Sequence, residues 1–123
     1  MAIRKVHWPR MVAEKHIHFV SVIEQGCQMF YELTFRKEIF LFIHKLALKF
    51  EVIVFSRLEE SLAKAIVIIF DPTGSLVAHV LGCEHLTNSK ADSNKYKDLR
   101  LLANGRNLED IIILDHDCRF IVQ

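Results

Sequence analysis

The apolar positions of this chain change period several times, and each change marks an element. Residues 16–23 (His-Ile-His-Phe-Val-Ser-Val-Ile) are rich in β-branched and apolar side chains and predict a buried strand. Gln25-Gly26 breaks it, and residues 28–33 form a second short strand candidate. Ile39, Phe40, Ile43, Leu46 and Leu48 then recur at helical spacing within residues 36–49. Residues 51–56 predict a strand with an unbroken apolar centre, Val52-Ile53-Val54-Phe55. Residues 58–70 predict a helix in which Glu60 is placed to pair with Lys64. Asp71-Pro72-Thr73-Gly74 has the chemistry of a turn, and residues 76–81 predict another strand. Residues 84–94 are polar and loop-like, and residues 97–102 predict a short helical turn. After Gly105, residues 111–114 are four consecutive apolar positions ending at Asp115, and residues 120–122 are placed to close the sheet.

Strands with unbroken apolar centres, separated by helices, imply a sheet covered on both faces. Alternation of strand and helix implies an α/β fold with a mostly parallel, Rossmann-like sheet. Residues 17–22, 51–56 and 111–114 are expected to lie adjacent and parallel. Ligands of such sheets bind beyond the carboxyl ends of the strands. The positions of interest are therefore residues 21–25, Ser56 and residues 115–117.

Composition adds bounds. The 123 residues suit one domain, and 51% of them are apolar, enough to build a core. Lysine and arginine number 16 against 15 acidic residues, so nothing global points to nucleic acid. The exception is the start, where Arg4, Lys5, Arg10 and Lys15 face only Glu14. Residues 1–14 read as a solvated basic arm ahead of a folded domain at 15–123. The sharper readings of the arm are a phosphate or acidic-protein contact, or the remnant of an organelle-targeting segment. Pro9 spoils it as an amphipathic transit helix. Trp8 between positive charges is a natural anchor on a partner protein, so Arg4, Lys5, Trp8 and Arg10 are the candidate interaction residues. No apolar run approaches the roughly 18 residues that cross a bilayer. Cys27, Cys83 and Cys118 are odd in number and widely spaced, which points to a reducing compartment or buried thiols and away from a disulfide framework.

Three His/Cys pairs have i, i+2 spacing: His16/His18, Cys83/His85 and His116/Cys118. None matches a zinc-ligand spacing, so no metal or other cofactor is expected. The plain reading is small core thiols and ordinary polar histidines. Cys27 has no local signature of a thiol nucleophile.

The strand ends carry a resemblance. Phe50-Glu-Val-Ile-Val-Phe-Ser56, Lys95-Tyr-Lys-Asp-Leu99 and the run from Asn104 to Asp115 resemble three motifs of the haloacid-dehalogenase-like (HAD-like) phosphatase domain. That domain occurs in the RNA-polymerase C-terminal-domain phosphatases and in the presequence-receptor subunit of the mitochondrial inner-membrane translocase. The likeness spans about residues 15–118, with Arg36 to Ile43 resembling the start of the first helix. It implies a minimised Rossmann-like domain with helices on both faces. By the same resemblance Ser56 matches the second motif, Lys97 the lysine and Asp115 the last acidic motif.

The departures fall where the chemistry would be. The family's first motif is Asp-x-Asp-x-Thr at the end of the first strand. Placing residues 18–20 there puts Ser21 at the nucleophile and Ile23 at the acid/base position. Cys83 stands where an arginine is usual, and the last motif reads Asp115-His116-Asp117. The family reaction forms an aspartyl-phosphate with Mg²⁺ and needs a nucleophilic carboxylate, a second one to move the proton and a third to hold the metal. Ile23 cannot transfer a proton and Ser21 lacks the charge that holds Mg²⁺. The expectation is a pseudoenzyme: a phosphatase-like interaction subunit of a larger assembly, attached to a membrane through its partners only. The translocase likeness suggests the mitochondrial inner membrane. Two alternatives stand beside it. One is an active protein phosphatase with an atypical site. The other, less favoured, is a ribosome- or nucleic-acid-associated module using the basic arm.

Overall fold

The structure is a computed structural model that describes residues 1–7 and 16–122. It divides the chain into two units, Met1–Gly82 and Cys83–Gln123. Among the described residues no helix is long and apolar enough to cross a membrane.

The first unit opens with β1 (Ala2–Val6), β2 (Ile17–Glu24) and β3 (Cys27–Thr34), which form an antiparallel sheet in the order β1-β3-β2. β2 and β3 are a hairpin. Its two turn residues, Gln25 at φ 49° and Gly26 at φ 77°, both sit in the left-handed region. That geometry matches the twist of the flanking strands and reverses the chain at once. Alternation then sorts the side chains. Val20, Val22, Met29, Tyr31 and Leu33 turn to the core, while Ser21 and Ile23 point away and are exposed.

Two helices and a parallel pair complete the unit. α1 (Ile39–Ala47) begins at Glu38, whose φ of 65° bends the chain into the helix without a side-chain cap. Lys45 in its last turn complements the helix dipole. β4 (Val52–Phe55) and β5 (Val77–Leu81) pair in parallel, with α2 (Glu60–Phe70) as the crossover between them. Glu60 and Lys64 form the expected i, i+4 ion pair. Leu62 and Ile66, one turn apart on α2, meet Val22, Leu33 and Phe35 in the core. Burying each such side chain contributes about 1.5–3 kcal/mol. α2 touches both β2 and β5, so it bridges the antiparallel sheet and the parallel pair. The turn after α2 is tied by Asp71, only 3% exposed, whose carboxylate accepts the N–H groups of Ser75, Leu76 and Val77 at 3.0, 3.1 and 2.8 Å. One side chain thus ends the helix and starts β5.

The second unit holds β6 (Thr87–Asn88), β7 (Lys95–Asp98) and β8 (Ile121–Val122) in the order β6-β7-β8. β6 pairs antiparallel with β7, and β7 parallel with β8. Short 3-10 helices at Cys83–His85, Leu99–Leu102, Leu108–Asp110 and Cys118–Phe120 fill the rest. Asp98 closes β7 and caps the helix that follows, accepting the N–H of Arg100 at 3.0 Å and its guanidinium at 2.8 and 2.7 Å.

These mixed sheets with two α-helices correct the expected architecture. The chain is α/β, and the described residues form three small sheets in place of one mostly parallel sheet. Residues 17–24 pair antiparallel because the tight Gln25-Gly26 turn returns the chain directly, whereas a parallel neighbour needs a crossover of about a dozen residues. Residues 111–114 belong to no strand, and Ile112 and Leu114 are 70% and 71% exposed. The basic arm is corrected in part as well. Its first half is β1, an integral sheet strand in which Arg4 lies directly opposite Glu32 and forks onto its carboxylate at 3.1 and 3.0 Å. Trp8 and Arg10 lie outside the described residues.

Candidate functional site

β7 positions one half of the candidate site. Alternation along Lys95–Asp98 places Lys97, and its Nζ donates to Asp115 Oδ2 at 2.6 Å. Both side chains are largely covered, at 17% and 12% exposed, although Asp115 as a whole is open through its main chain. The other oxygen, Oδ1, accepts the N–H of Asp117 at 3.1 Å and lies 3.3 Å from His116 Nδ1. Burial is the largest single influence on Asp115 and pushes its carboxyl up. The Lys97 ammonium and the N–H groups of Asp117 and His116 outweigh it, so the pKa falls below the ordinary carboxylate value. The sequence thus identified two residues that the fold does bring together from 18 positions apart.

Asp117 is spent differently. Its carboxylate takes Arg119 Nε and a terminal nitrogen at 2.9 Å each and the Arg119 N–H at 3.2 Å. The guanidinium pulls its pKa down to about 2. Arg119 was not singled out in the sequence. The signal that could have found it is the Asp-x-Arg spacing, in which an acidic side chain caps the N–H two residues on and meets the arginine there.

The remaining positions belong to the first unit. Ser56 follows β4, and its own N–H still bonds to Leu81 O at 2.8 Å. Its hydroxyl accepts the N–H of Leu58 at 3.0 Å, which makes it a strand-end cap. Ser21 and Ile23 sit within β2, opposite Phe30 and Gln28 of β3, and not beyond a strand end. Ile23 is 67% exposed. Neither residue has the parallel-sheet setting that a strand-end nucleophile or acid requires. Lys5 and Arg4 are occupied by Glu24 and Glu32. Tyr31 donates to the same Glu24, which holds its phenol proton up to about 12. His18, of the His16/His18 pair, packs its ring against Phe35 and Phe40, at 5.4 and 6.4 Å. Cys83 and His85 share one 3-10 turn, and the Cys118 side chain lies outside the described residues.

The acidic residues of the last motif do not fit Mg²⁺. Such an ion keeps octahedral oxygen ligands, usually including a carboxylate free to bind it. Asp115 has one oxygen on an ammonium and the other on a backbone N–H, and Asp117 is forked by a guanidinium. As arranged, the cluster is a closed set of ion pairs.

Comparison with known proteins agrees with the motifs. A solved structure of a variant of the fission yeast RNA polymerase II CTD phosphatase Fcp1, bound to beryllium fluoride, aligns with a TM-score of 0.59 and 26% identity. The alignment covers 70% of this chain and 23% of that one, so this chain corresponds to under a quarter of that phosphatase. No curated protein matches the chain. The family model for NLI interacting factor-like phosphatases matches residues 6–122, almost the whole length, and the chain belongs to that family.

Proposed function

We propose that this chain is a catalytically inactive phosphatase-like domain that works by binding, as a structural subunit of a larger protein assembly. The observation that carries this reading is the state of the carboxylates. Asp115 and Asp117 are held by Lys97 and Arg119, and no aspartate precedes Asp71 anywhere in the chain. Aspartyl-phosphate chemistry needs a carboxylate nucleophile with a second carboxylate to move the proton. Ser21 and Ile23, which the resemblance aligned with those two roles, face away from the core on β2. Loss of one member of a catalytic unit commonly costs about 10³- to 10⁶-fold, and two are absent.

What is retained is scaffold. β4, α2 and β5 are read as the kept βαβ piece of the family's Rossmann-like sheet. α1 has no fully buried residue and exposes Phe40, Leu41 and Phe42 at 38%, 54% and 47%. Exposed apolar surface of that kind supports a role covered by partners. By analogy with the translocase subunit that its motifs resemble, the assembly proposed is one of the mitochondrial inner membrane, with the chain attached through proteins rather than lipid.

The test has two arms. The purified chain is incubated with an aryl phosphate and Mg²⁺, and separately titrated with beryllium fluoride, the ligand of the yeast relative. No turnover and no binding are expected. Hydrolysis that disappears in Asp115→Asn overturns the inactive reading. Tagged chain recovered from its own cells is expected to bring other subunits with it from the mitochondrial fraction; recovery alone overturns the assembly reading, and recovery with partners from another compartment overturns the mitochondrial one.

A further inference from the structure

Among the described residues β2 is an eight-residue strand at the edge of its sheet, with β3 as its one strand neighbour. The hydrogen bond from Phe35 N–H to His16 O, at 2.9 Å, fixes the phase of its ladder. In an antiparallel pair each residue directs its N–H and C=O to the same side, and the side alternates along the strand. His16, His18, Val20 and Val22 therefore bond toward β3. Ile17, Phe19, Ser21 and Ile23 turn their N–H and C=O groups outward, where the sheet order β1-β3-β2 leaves no neighbouring strand among the described residues.

Edges of this kind are normally blunted by charge, proline or a bulge. The opposite edge, β1, has Arg4 and Lys5 at its centre. β2 has none of these devices. Its register with β3 runs without interruption from Ile17 to Glu24, its middle is uncharged, and Ile23 is 67% exposed.

We propose that the β2 edge docks on the same edge of a second copy of this chain. The two three-stranded sheets then form one continuous antiparallel sheet about a two-fold axis. The strand is complementary to itself. Residues directly opposite in an antiparallel pair share a face, so the core-facing positions of one copy must meet core-facing positions of the other. Centring the axis on Val20 satisfies this. Ile17 of each copy then lies against Ile23 of the other, Phe19 against Ser21, and His16 against Glu24. The exposed Ile23 is covered by an apolar partner, and the strand's acidic end meets its histidine end. The same operation on β1 would bring like charges together. An isologous contact of this kind closes at two copies and does not propagate. The proposal does not depend on whether the domain has lost catalysis.

Sedimentation equilibrium of the intact chain, from dilute to concentrated solution, tests it together with residue-resolved amide exchange. A monomer–dimer equilibrium is expected. Amides of Phe19, Ser21 and Ile23 should become protected as the dimer forms, while those of Val20 and Val22, already bonded to β3, should not change. Ser21→Pro removes only an outward N–H, a substitution an edge strand can accept, and Ile23→Lys places a charge against Ile17 of the other copy. Each is expected to weaken dimerisation by about tenfold or more. Retained circular dichroism and slow Val20 exchange would show that the fold persists, and Ile23→Lys stands alone if the proline variant fails to fold. A chain that stays monomeric at all concentrations overturns the proposal. So does a dimer that survives Ile23→Lys, or one in which the outward amides remain unprotected.

Discussion

Lys97 Nζ lies 2.6 Å from Asp115 Oδ2, and this pair ties the middle of β7 to a segment 18 residues later. The contact joins two positions that the family resemblance marks as functional, yet here each satisfies the other. Removing one partner should reveal a structural role. Lys97→Met leaves a largely covered carboxylate without its cation, and a stability loss of about 1–3 kcal/mol is expected. Asp115→Asn should cost less, because an amide can still accept the Asp117 N–H. Urea denaturation of the two single variants and the double variant measures the coupling. Additive effects would mean that the ion pair contributes nothing of its own.

Acid should destabilise the fold through several carboxylates at once. Asp71, Asp98, Asp115 and Asp117 all have pKa values below the ordinary range. The causes differ. At Asp98 and Asp117 the arginine partner is the leading influence. At Asp71 burial acts first and upward, and is outweighed by backbone N–H groups. A depressed folded pKa means that the unfolded chain binds more protons between the two values. The stability these groups contribute is thus fully present above the unfolded value of about 4 and is lost as pH falls through the folded values. The urea midpoint should stay level down to about pH 5 and drop below about pH 4. A midpoint that rises on acidification would contradict the assignments.

The alkaline side has the opposite sign. Tyr31 and Tyr96, the chain's two tyrosines, each donate to a carboxylate, of Glu24 and Asp92 respectively. Both pKa values are raised, Tyr31 to about 12, with the hydrogen bond to the carboxylate as the leading cause. The folded chain therefore holds these protons longer than the unfolded one. The contribution of Tyr31 is complete below about pH 10 and is lost as pH climbs towards about 12. A phenolate absorbance titration should show no tyrosine ionising at or below the free value. Glu24→Gln should return one of the two tyrosines toward it.

Most local elements were legible in the sequence, and the long-range pairing was not. The β-rich segment before Gln25-Gly26, the apolar centre of β4, the Glu60–Lys64 helix and the Asp71-Pro72 turn all depend on nearby residues. Phe19-Val20-Ser21-Val22-Ile23 has the composition of a strand buried on both faces, yet Ser21 and Ile23 are exposed and the segment is one arm of a hairpin. Gln25 at φ 49° makes a hairpin turn without the usual Asn or Asp, so the composition hid it. At residues 111–114 an apolar run looked like a buried strand, because periodicity cannot say whether a neighbour is available. The pairing of Lys97 with Asp115 was legible only through the family motif, since nothing local links them.

Asp71 offers a sharp test of how one side chain can hold a crossover. Three backbone N–H groups converge on its carboxylate at the start of β5. Asp71→Ala leaves all three without that acceptor, and the melting temperature should fall on the order of 5–10 °C. Asp71→Asn keeps one acceptor oxygen and should recover part of the loss. Unchanged melting in the alanine variant would mean that water replaces the carboxylate fully.

The N-terminal segment needs a test that separates structure from anchoring. Arg4 forks onto Glu32, whose side chain is only 9% exposed, and Ile3 packs against the core cluster. Deleting residues 1–14 would therefore remove β1 as well as any contact made by Trp8 or Arg10. Loss of assembly after that deletion would not distinguish a missing anchor from a damaged sheet. Trp8→Ala combined with Arg10→Ala leaves the β1 ladder intact. If Trp8 is an interface anchor, truncating it should weaken retention by about 2 kcal/mol or more, while the arginine adds mainly salt-dependent steering. The expected result is loss of partner recovery at raised salt with unchanged thermal stability. Full recovery of partners by the double variant would remove Trp8 and Arg10 from the interface and leave the proposed assembly to be held elsewhere.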